Sequence, residues 1–203
     1  MLIDLAISGS FGYILGSFPF GLILVYLATG QDIRTIGSGN IGATNVLRTG
    51  HKVLALLTVV LDALKGAIAF FIASIWLPQE SGAIAGFGAV IGHCFPVWLR
   101  FSGGKGVATG IAVIAVVVPF AGLVIGATWL IVAAFTRISS LSALLSFFAA
   151  GLFVSFGPFE NSGMAQITVW GVGLLSWARH KKNIQKILKG EEDKISFKKK
   201  LSD

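Results

Sequence analysis

Three short stretches of this chain combine glycines with basic and small polar side chains, the combination that handles anions. The first reads GSGNIGATNVLR at residues 37–48. It contains G-x-G-x-x-G, but a helix-forming apolar run precedes it where a strand would be needed. No βαβ unit surrounds it, so a dinucleotide fold is excluded. Gly37, Gly39 and Gly42 let backbone N–H groups converge on an anion. Ser38, Asn40, Thr44 and Asn45 add neutral hydrogen-bonding groups, and Arg48 can fork two phosphate oxygens. A plain flexible polar loop is the competing account. The second stretch, GHCFPVWLRFSGGKGVAT at residues 92–109, lacks Walker A spacing. It does place Gly103-Gly104-Lys105-Gly106 at the opening of an apolar helix, where free N–H groups, the positive helix end and an ammonium coincide. A cytoplasmic turn carrying an orienting lysine would look similar. His93 stands beside this loop and could be a packed histidine or part of the site. The third stretch begins Arg179-His180-Lys181-Lys182-Asn183. His180 and Asn183, three apart, share one face if the helix continues; a basic juxtamembrane segment is the alternative.

Other chemistries lack their residues. The single cysteine, Cys94, provides neither a disulfide framework nor a cysteine-built metal site. Before Glu191-Glu192-Asp193, the polar loops on the basic side offer only Asp32 as a carboxylate, so no Mg²⁺ or Ca²⁺ cluster is expected. No G-x-S-x-G elbow and no H-x₄-D pattern is present. The expectation is an anion cradle made of donors, with no metal, no cofactor and no strong base. Asp62 and Lys65 lie three apart inside an apolar run, where an unpaired charge costs ~2.5–3.5 kcal/mol. They are expected to pair structurally between helices, with lining the site as the alternative.

The elements that must position these residues are membrane helices. The 203 residues are 55% hydrophobic and 12% charged, and a soluble domain of this size would carry roughly twice that charge. Apolar runs cover 5–28, 53–77, 82–95, 107–135, 141–156 and 164–178. The run at 107–135 is too long for one span, and Pro119 splits it into a hairpin. The fold class expected is all-α: a polytopic membrane helical bundle of about seven transmembrane helices. The first run lacks a basic leader and is kept as a helix. With the N-terminus outside, the outer segments hold Asp4, Glu80 and Glu160 and no Lys or Arg. Every basic residue except Lys65 falls on the other side, which puts the C-terminus and the polar motifs at the cytoplasmic face. The net charge of +7 is therefore an orientation and lipid-surface signal, not one for nucleic acid. Residues 1–180 form one membrane domain and 181–203 a basic cytoplasmic tail. That tail is helical to Lys189, suited to anionic lipid, and ends in the lipid-attracted Lys198-Lys199-Lys200.

The chain resembles the bacterial membrane acyl-phosphate:glycerol-3-phosphate acyltransferases. The matching motifs are the two quoted above and RHKKNIQKILKG at 179–190; Leu61-Asp62-Ala63-Leu64-Lys65-Gly66 also matches. Trp98 stands where Phe is usual, Lys186 where Arg is usual, and the link at 49–52 is a residue shorter. The resemblance implies transfer of an acyl group from acyl phosphate to the sn-1 hydroxyl of glycerol 3-phosphate, at the inner membrane. The products are lysophosphatidic acid and phosphate. It also implies an upstream soluble enzyme that makes acyl phosphate. In that light the expected catalytic residues are Lys105, Arg48, Ser38, His180 and Asn183. Gly39, Asn40, Thr44 and Asn45 are expected to bind substrate, as are His93, Gly103, Gly104 and Ser140. Lys105, Arg48 and the Gly103 and Gly104 N–H groups would hold phosphate, while Ser38, His180 and Asn183 orient glycerol 3-phosphate. A transporter of an organic phosphate is the main rival, but such proteins place their site at the midplane. A membrane phosphatase is a second rival and lacks its catalytic carboxylate.

Overall fold

The computed structural model describes residues 2–78, 80–158 and 161–195. Met1, Gln79, Phe159, Glu160 and the expected lysine end at 198–200 lie outside the described residues. The described chain is all-α. In order come α1 (Leu2–Gly16), α2 (Phe20–Thr29), α3 (Ala43–Arg48), α4 (Lys52–Trp76) and α5 (Ser81–Cys94). There follow α6 (Val107–Val117), α7 (Pro119–Thr136), α8 (Ser139–Phe156), α9 (Gly163–Arg179) and α10 (Lys181–Leu188).

Five segments are long and apolar enough to cross a membrane: Leu2–Thr29, Lys52–Trp76, Ser81–Leu99, Pro119–Thr136 and Ser139–Phe156. The first of these is α1 and α2 together, interrupted at Ser17-Phe18-Pro19. Proline cannot donate a hydrogen bond to the preceding turn, and its ring crowds it. The split expected at Pro119 occurs. Pro119 opens α7 after a non-helical Val118, and a Cβ on Gly122 would lie 2.6 Å from Ala115 Cα. Seven residues along a straight helix would separate them by ~10 Å, so α6 and α7 fold back on one another. All seven expected apolar segments are thus helical, and α6 and α9 are the two outside the five candidate spans.

Large apolar side chains face outward, among them Trp76, Phe135 and Phe156, as a bundle solvated by lipid requires. The interior holds smaller groups. Val90, Val113, Ile114, Phe147, Val169 and Val172 form the main cluster between α5, α6, α8 and α9. Gly12 and Gly16 of α1 lie directly on the backbone of Ala85 and Ala89 of α5, with no room for a Cβ. Close backbone approach replaces hydrophobic driving force between helices in lipid. Neither backbone can yield alone, so Gly16→Ala should destabilise the fold by about 1–3 kcal/mol. Thermal unfolding of the detergent-solubilised protein measures it.

The polar loops gather at one end of the bundle. Thr44 Oγ1 lies 3.5 Å from Ser139 Oγ. The Ile195 N–H donates to the Arg137 carbonyl, and Arg137 Nη2 donates back to the Ile195 carbonyl at 3.0 Å. The segment after α10 therefore returns to the bundle, and α10 itself packs against α8 and α9.

Candidate active site

The 29–52 loop is more ordered than its composition suggests. It contains a short 3₁₀ turn, Ile33–Thr35, and the six-residue α3. Asn45 is the organiser. Its Nδ2 donates to the carbonyls of Ile33 (3.1 Å) and Ile36 (2.9 Å), and its Oδ1 accepts from the Ser38 N–H at 3.0 Å. Asn45 was expected to bind substrate; its amide is instead spent on shaping the loop. Gly37 has φ +57, and a Cβ there would come within 2.5 Å of Asn45 Oδ1, so both conformation and space require glycine. Asn40 Oδ1 accepts from the Gly42 N–H at 2.8 Å. Ser38, Gly39 and Thr44 remain exposed, and Arg48 is half-buried at the end of α3.

The second motif makes a closed excursion. The chain leaves α5, passes a 3₁₀ turn (Val97–Leu99) and turns back through Arg100 and Phe101, both left-handed. On its return the Gly103 N–H donates to the Cys94 carbonyl (3.2 Å) and the Gly104 N–H to the His93 carbonyl (3.0 Å). These two N–H groups were expected to cradle phosphate. They are consumed by the backbone, because the loop must pair with the end of α5 to come home. The anion donors left here are the Lys105 ammonium and the first-turn amides of α6, which have no intrahelical acceptor. His93 is likewise displaced from its expected role. It is 5% exposed, and a Cβ on Gly104 would collide with its Nε2. The ring packs against the loop in a buried position.

Arg179 joins the third motif to the second, a role that the sequence reading missed. Its Nε donates to the Gly104 carbonyl at 3.0 Å and its Nη2 to the Gly103 carbonyl at 2.9 Å. Its guanidinium lies 4.9 Å from the Phe95 ring centroid. A forked donor at a helix C-terminus directly before the motif histidine was the available signal. The helix does not run straight through His180; it breaks there, with φ −92 and ψ 7, and α10 starts at Lys181. His180 is the buried corner. Its Nδ1 lies 2.7 Å from the Ser176 carbonyl. A carbonyl only accepts, so Nδ1 carries the proton and Nε2 is left as an acceptor.

Two acidic residues of the returning tail complete the end. Glu192 Oε1 accepts from Ser140 Oγ (2.7 Å) and from Asn183 Nδ2, which leaves the Asn183 carbonyl oxygen to accept from a ligand. Asp193 pairs with Arg48 at 3.0 Å. The structure thus brings Arg48, Lys105, Ser140, His180 and Asn183 to one end of the bundle. Among the described residues, no three His, Cys, Asp or Glu side chains converge as a metal site would require.

Charge tuning follows from this crowding. Burial pulls Lys105 from its usual 10.5 down to about 8; Glu192 opposes that, while Arg48, Arg179 and Lys186 add to it. Burial, followed by the charge of Lys105, takes His180 down to about 4; the Ser176 carbonyl opposes the shift and Arg179 adds to it. His180 is therefore neutral near pH 7 and a poor base. Lys105 is cationic below about pH 8 and loses its charge above it. If the cation binds substrate, kcat/KM falls as pH rises through 8. Glu192→Gln removes the group that raises the Lys105 pKa, so this alkaline limb should move to lower pH. A pH–rate profile of both proteins checks it.

A family model described as "Glycerol-3-phosphate acyltransferase" matches residues 6–190. The chain is 52% identical over 190 residues to the glycerol-3-phosphate acyltransferase of Paramagnetospirillum magneticum, covering 93% of this chain and 92% of that one. It is 50% identical over 190 residues to the glycerol-3-phosphate acyltransferase of Sinorhizobium medicae, covering 93% and 91%. Its fold is similar to the crystal structure of PlsY (YgiH), an integral membrane glycerol 3-phosphate acyltransferase, in the glycerol 3-phosphate form. The TM-score is 0.87 at 34% identity, over 95% of this chain and 96% of that one. The lysophosphatidic acid form of PlsY matches with a TM-score of 0.83 at 32% identity, over the same shares. All three polar motifs fall inside the matched residues, and the chain belongs to the glycerol-3-phosphate acyltransferase family.

Proposed function

We propose that this protein transfers a fatty acyl group from acyl phosphate to the sn-1 hydroxyl of glycerol 3-phosphate, giving lysophosphatidic acid and inorganic phosphate. The observation that carries this reading is the convergence of Arg48, Lys105, His180 and Asn183 at one end of an apolar bundle. Both substrates bring a phosphate and one brings a lipid tail, so cations beside lipid-facing helices suit them. Topologically, we take the bundle as seven spans over residues 1–180, with the N-terminus outside and the site at the cytoplasmic face of a bacterial inner membrane. Residues 181–203 lie on the cytoplasmic side. The donor then arrives from a soluble acyl-phosphate synthase, and its chain enters between helices from the surrounding lipid.

The donor is a mixed anhydride and is already activated, so no acyl-enzyme is needed. The glycerol hydroxyl oxygen attacks the carbonyl carbon, and the bond from that carbon to the phosphate oxygen breaks. Lys105 and Arg48 offset the charge that grows on the departing phosphate. His180 Nε2 and the Asn183 carbonyl oxygen accept from glycerol hydroxyls and fix their direction, and Ser38 and Ser140 lie at the same end. Positioning of this kind supplies much of the rate. Neutral His180, with a pKa of about 4, holds the hydroxyl without deprotonating it. The proton passes to a phosphate oxygen of the donor.

Purified protein is incubated with acyl phosphate and glycerol 3-phosphate, and lysophosphatidic acid is sought. Its formation supports the reading. Phosphate release without the lipid would point to a hydrolase, and vesicle uptake without chemistry to a carrier. An acyl-enzyme trapped in a single turnover would sink direct transfer.

A further inference from the structure

Asp62 and Lys65 take no part in the reaction described above, yet they are charges sealed inside α4 at 3% and 2% exposure. Lys65 Nζ lies 2.7 Å from Asp62 Oδ1. The same ammonium donates to the Phe18 carbonyl at 2.8 Å, at the break between α1 and α2. The Asp62 carbonyl accepts from Thr109 Oγ1 at 2.8 Å, in the first turn of α6. His93 Nδ1 faces Asp62 Oδ1 at 3.5 Å, an electrostatic contact that falls short of a hydrogen bond for either atom, and the opposite ring nitrogen abuts Gly104. The cluster therefore ties together the broken first span, α4, the end of α5 and the start of α6. The loop that presents Lys105 is strung between the last two.

An ion pair kept for stability alone is poorly explained here, since apolar residues of similar volume usually replace a buried pair at little cost. We propose that Asp62 and Lys65 are positioning residues for acyl transfer. Lys65 holds the Asp62 carboxylate in place, Asp62 fixes the His93 imidazole, and that ring seats Gly104 so that Lys105 stands where the phosphate is bound. This extends to a polar triad inside the bundle the logic by which partners behind a ligand-holding histidine set its orientation. The proposal rests on Lys105 being a phosphate-binding group.

The test uses the full chain in detergent with both substrates, and compares Asp62→Leu/Lys65→Met, His93→Ala, their combination, and Lys105→Ala. Removing both charges together avoids stranding either one. The double variant is expected to elute and melt like the unmodified protein while kcat/KM falls about tenfold, carried mainly by KM for a phosphate substrate. His93→Ala should produce a loss of the same size, and the triple variant should be no worse, because the three residues act in series. An unchanged KM in the double variant would overturn the proposal, as would losses that multiply in the triple variant. Failure of the double variant to fold would overturn it too, by making the pair a structural requirement. If Lys105→Ala itself keeps its KM, it is the phosphate-cradle reading that falls. If Lys105→Ala is impaired while the Asp62/Lys65 variant is normal, only the positioning role falls.

Discussion

Lys105→Ala is expected to lower kcat by about 10²–10³ and to raise KM for a phosphate substrate while leaving the fold intact. Its backbone belongs to a loop held by Gly103, Gly104 and Arg179, none of which needs the lysine side chain. The side chain is only half-buried, so its loss opens no deep cavity. What goes is the cation closest in character to a transition-state clamp. Lys105→Arg should restore part of the rate, since the charge returns on a larger, planar head. It should also abolish the alkaline limb near pH 8, because an arginine keeps its proton there. Steady-state kinetics across pH 6–10, an assay range of about four units around that value, separates these outcomes. Near wild-type turnover in the alanine variant would remove Lys105 from the site.

Gly104→Ala is expected to lower kcat/KM by about 10². The new methyl group overlaps His93 Nε2. The ring can retreat only a few tenths of an ångström before its other nitrogen, now 3.5 Å from Asp62, reaches hydrogen-bond distance. The loop must then move instead, by about 1 Å, the displacement that typically costs such a factor. His93→Ala in the same chain makes room for the methyl group, so the double variant should lose less than the product of the two single losses. Kinetics of the four proteins measures that coupling.

Much of the architecture could be read from the sequence because long, continuous apolar runs in lipid become helices, and six such runs announce them. Pro119 marked its break for the same reason of backbone chemistry. The motifs announced which residues cluster but not what each one does, and Asn45 is the clearest case. An asparagine among glycines has the same composition whether its amide meets a ligand or the carbonyls of Ile33 and Ile36. Only the fold of a six-residue helix too short to be stable alone decides it. Gly103 and Gly104 repeat the lesson. Small residues open space, but whether that space admits an anion or the chain's own return depends on a pairing with Cys94 and His93 that sequence spacing does not show. His180 looked like one residue of a continuous helix and is a corner. Arg179 looked like one more positive-inside charge, although it grips both glycine carbonyls. Asp62 and Lys65 could be paired from spacing alone, but their reach to Phe18, Thr109 and His93 required the break after α1 and two further helices.

The return of Glu192 and Asp193 to Ser140, Asn183 and Arg48 has a consequence for biosynthesis. These carboxylates follow α1 to α10 in the described chain, so they leave the ribosome after those helices. A nascent chain that has inserted all its helices but not released residues 180–193 has its lipid-facing walls without the histidine corner or the acidic clasp. The acidic clasp therefore closes only after α9 has been made, and a chain cut before residue 190 lacks it. A fusion partner joined directly after Leu188 would keep the histidine corner and leave the acidic clasp missing permanently.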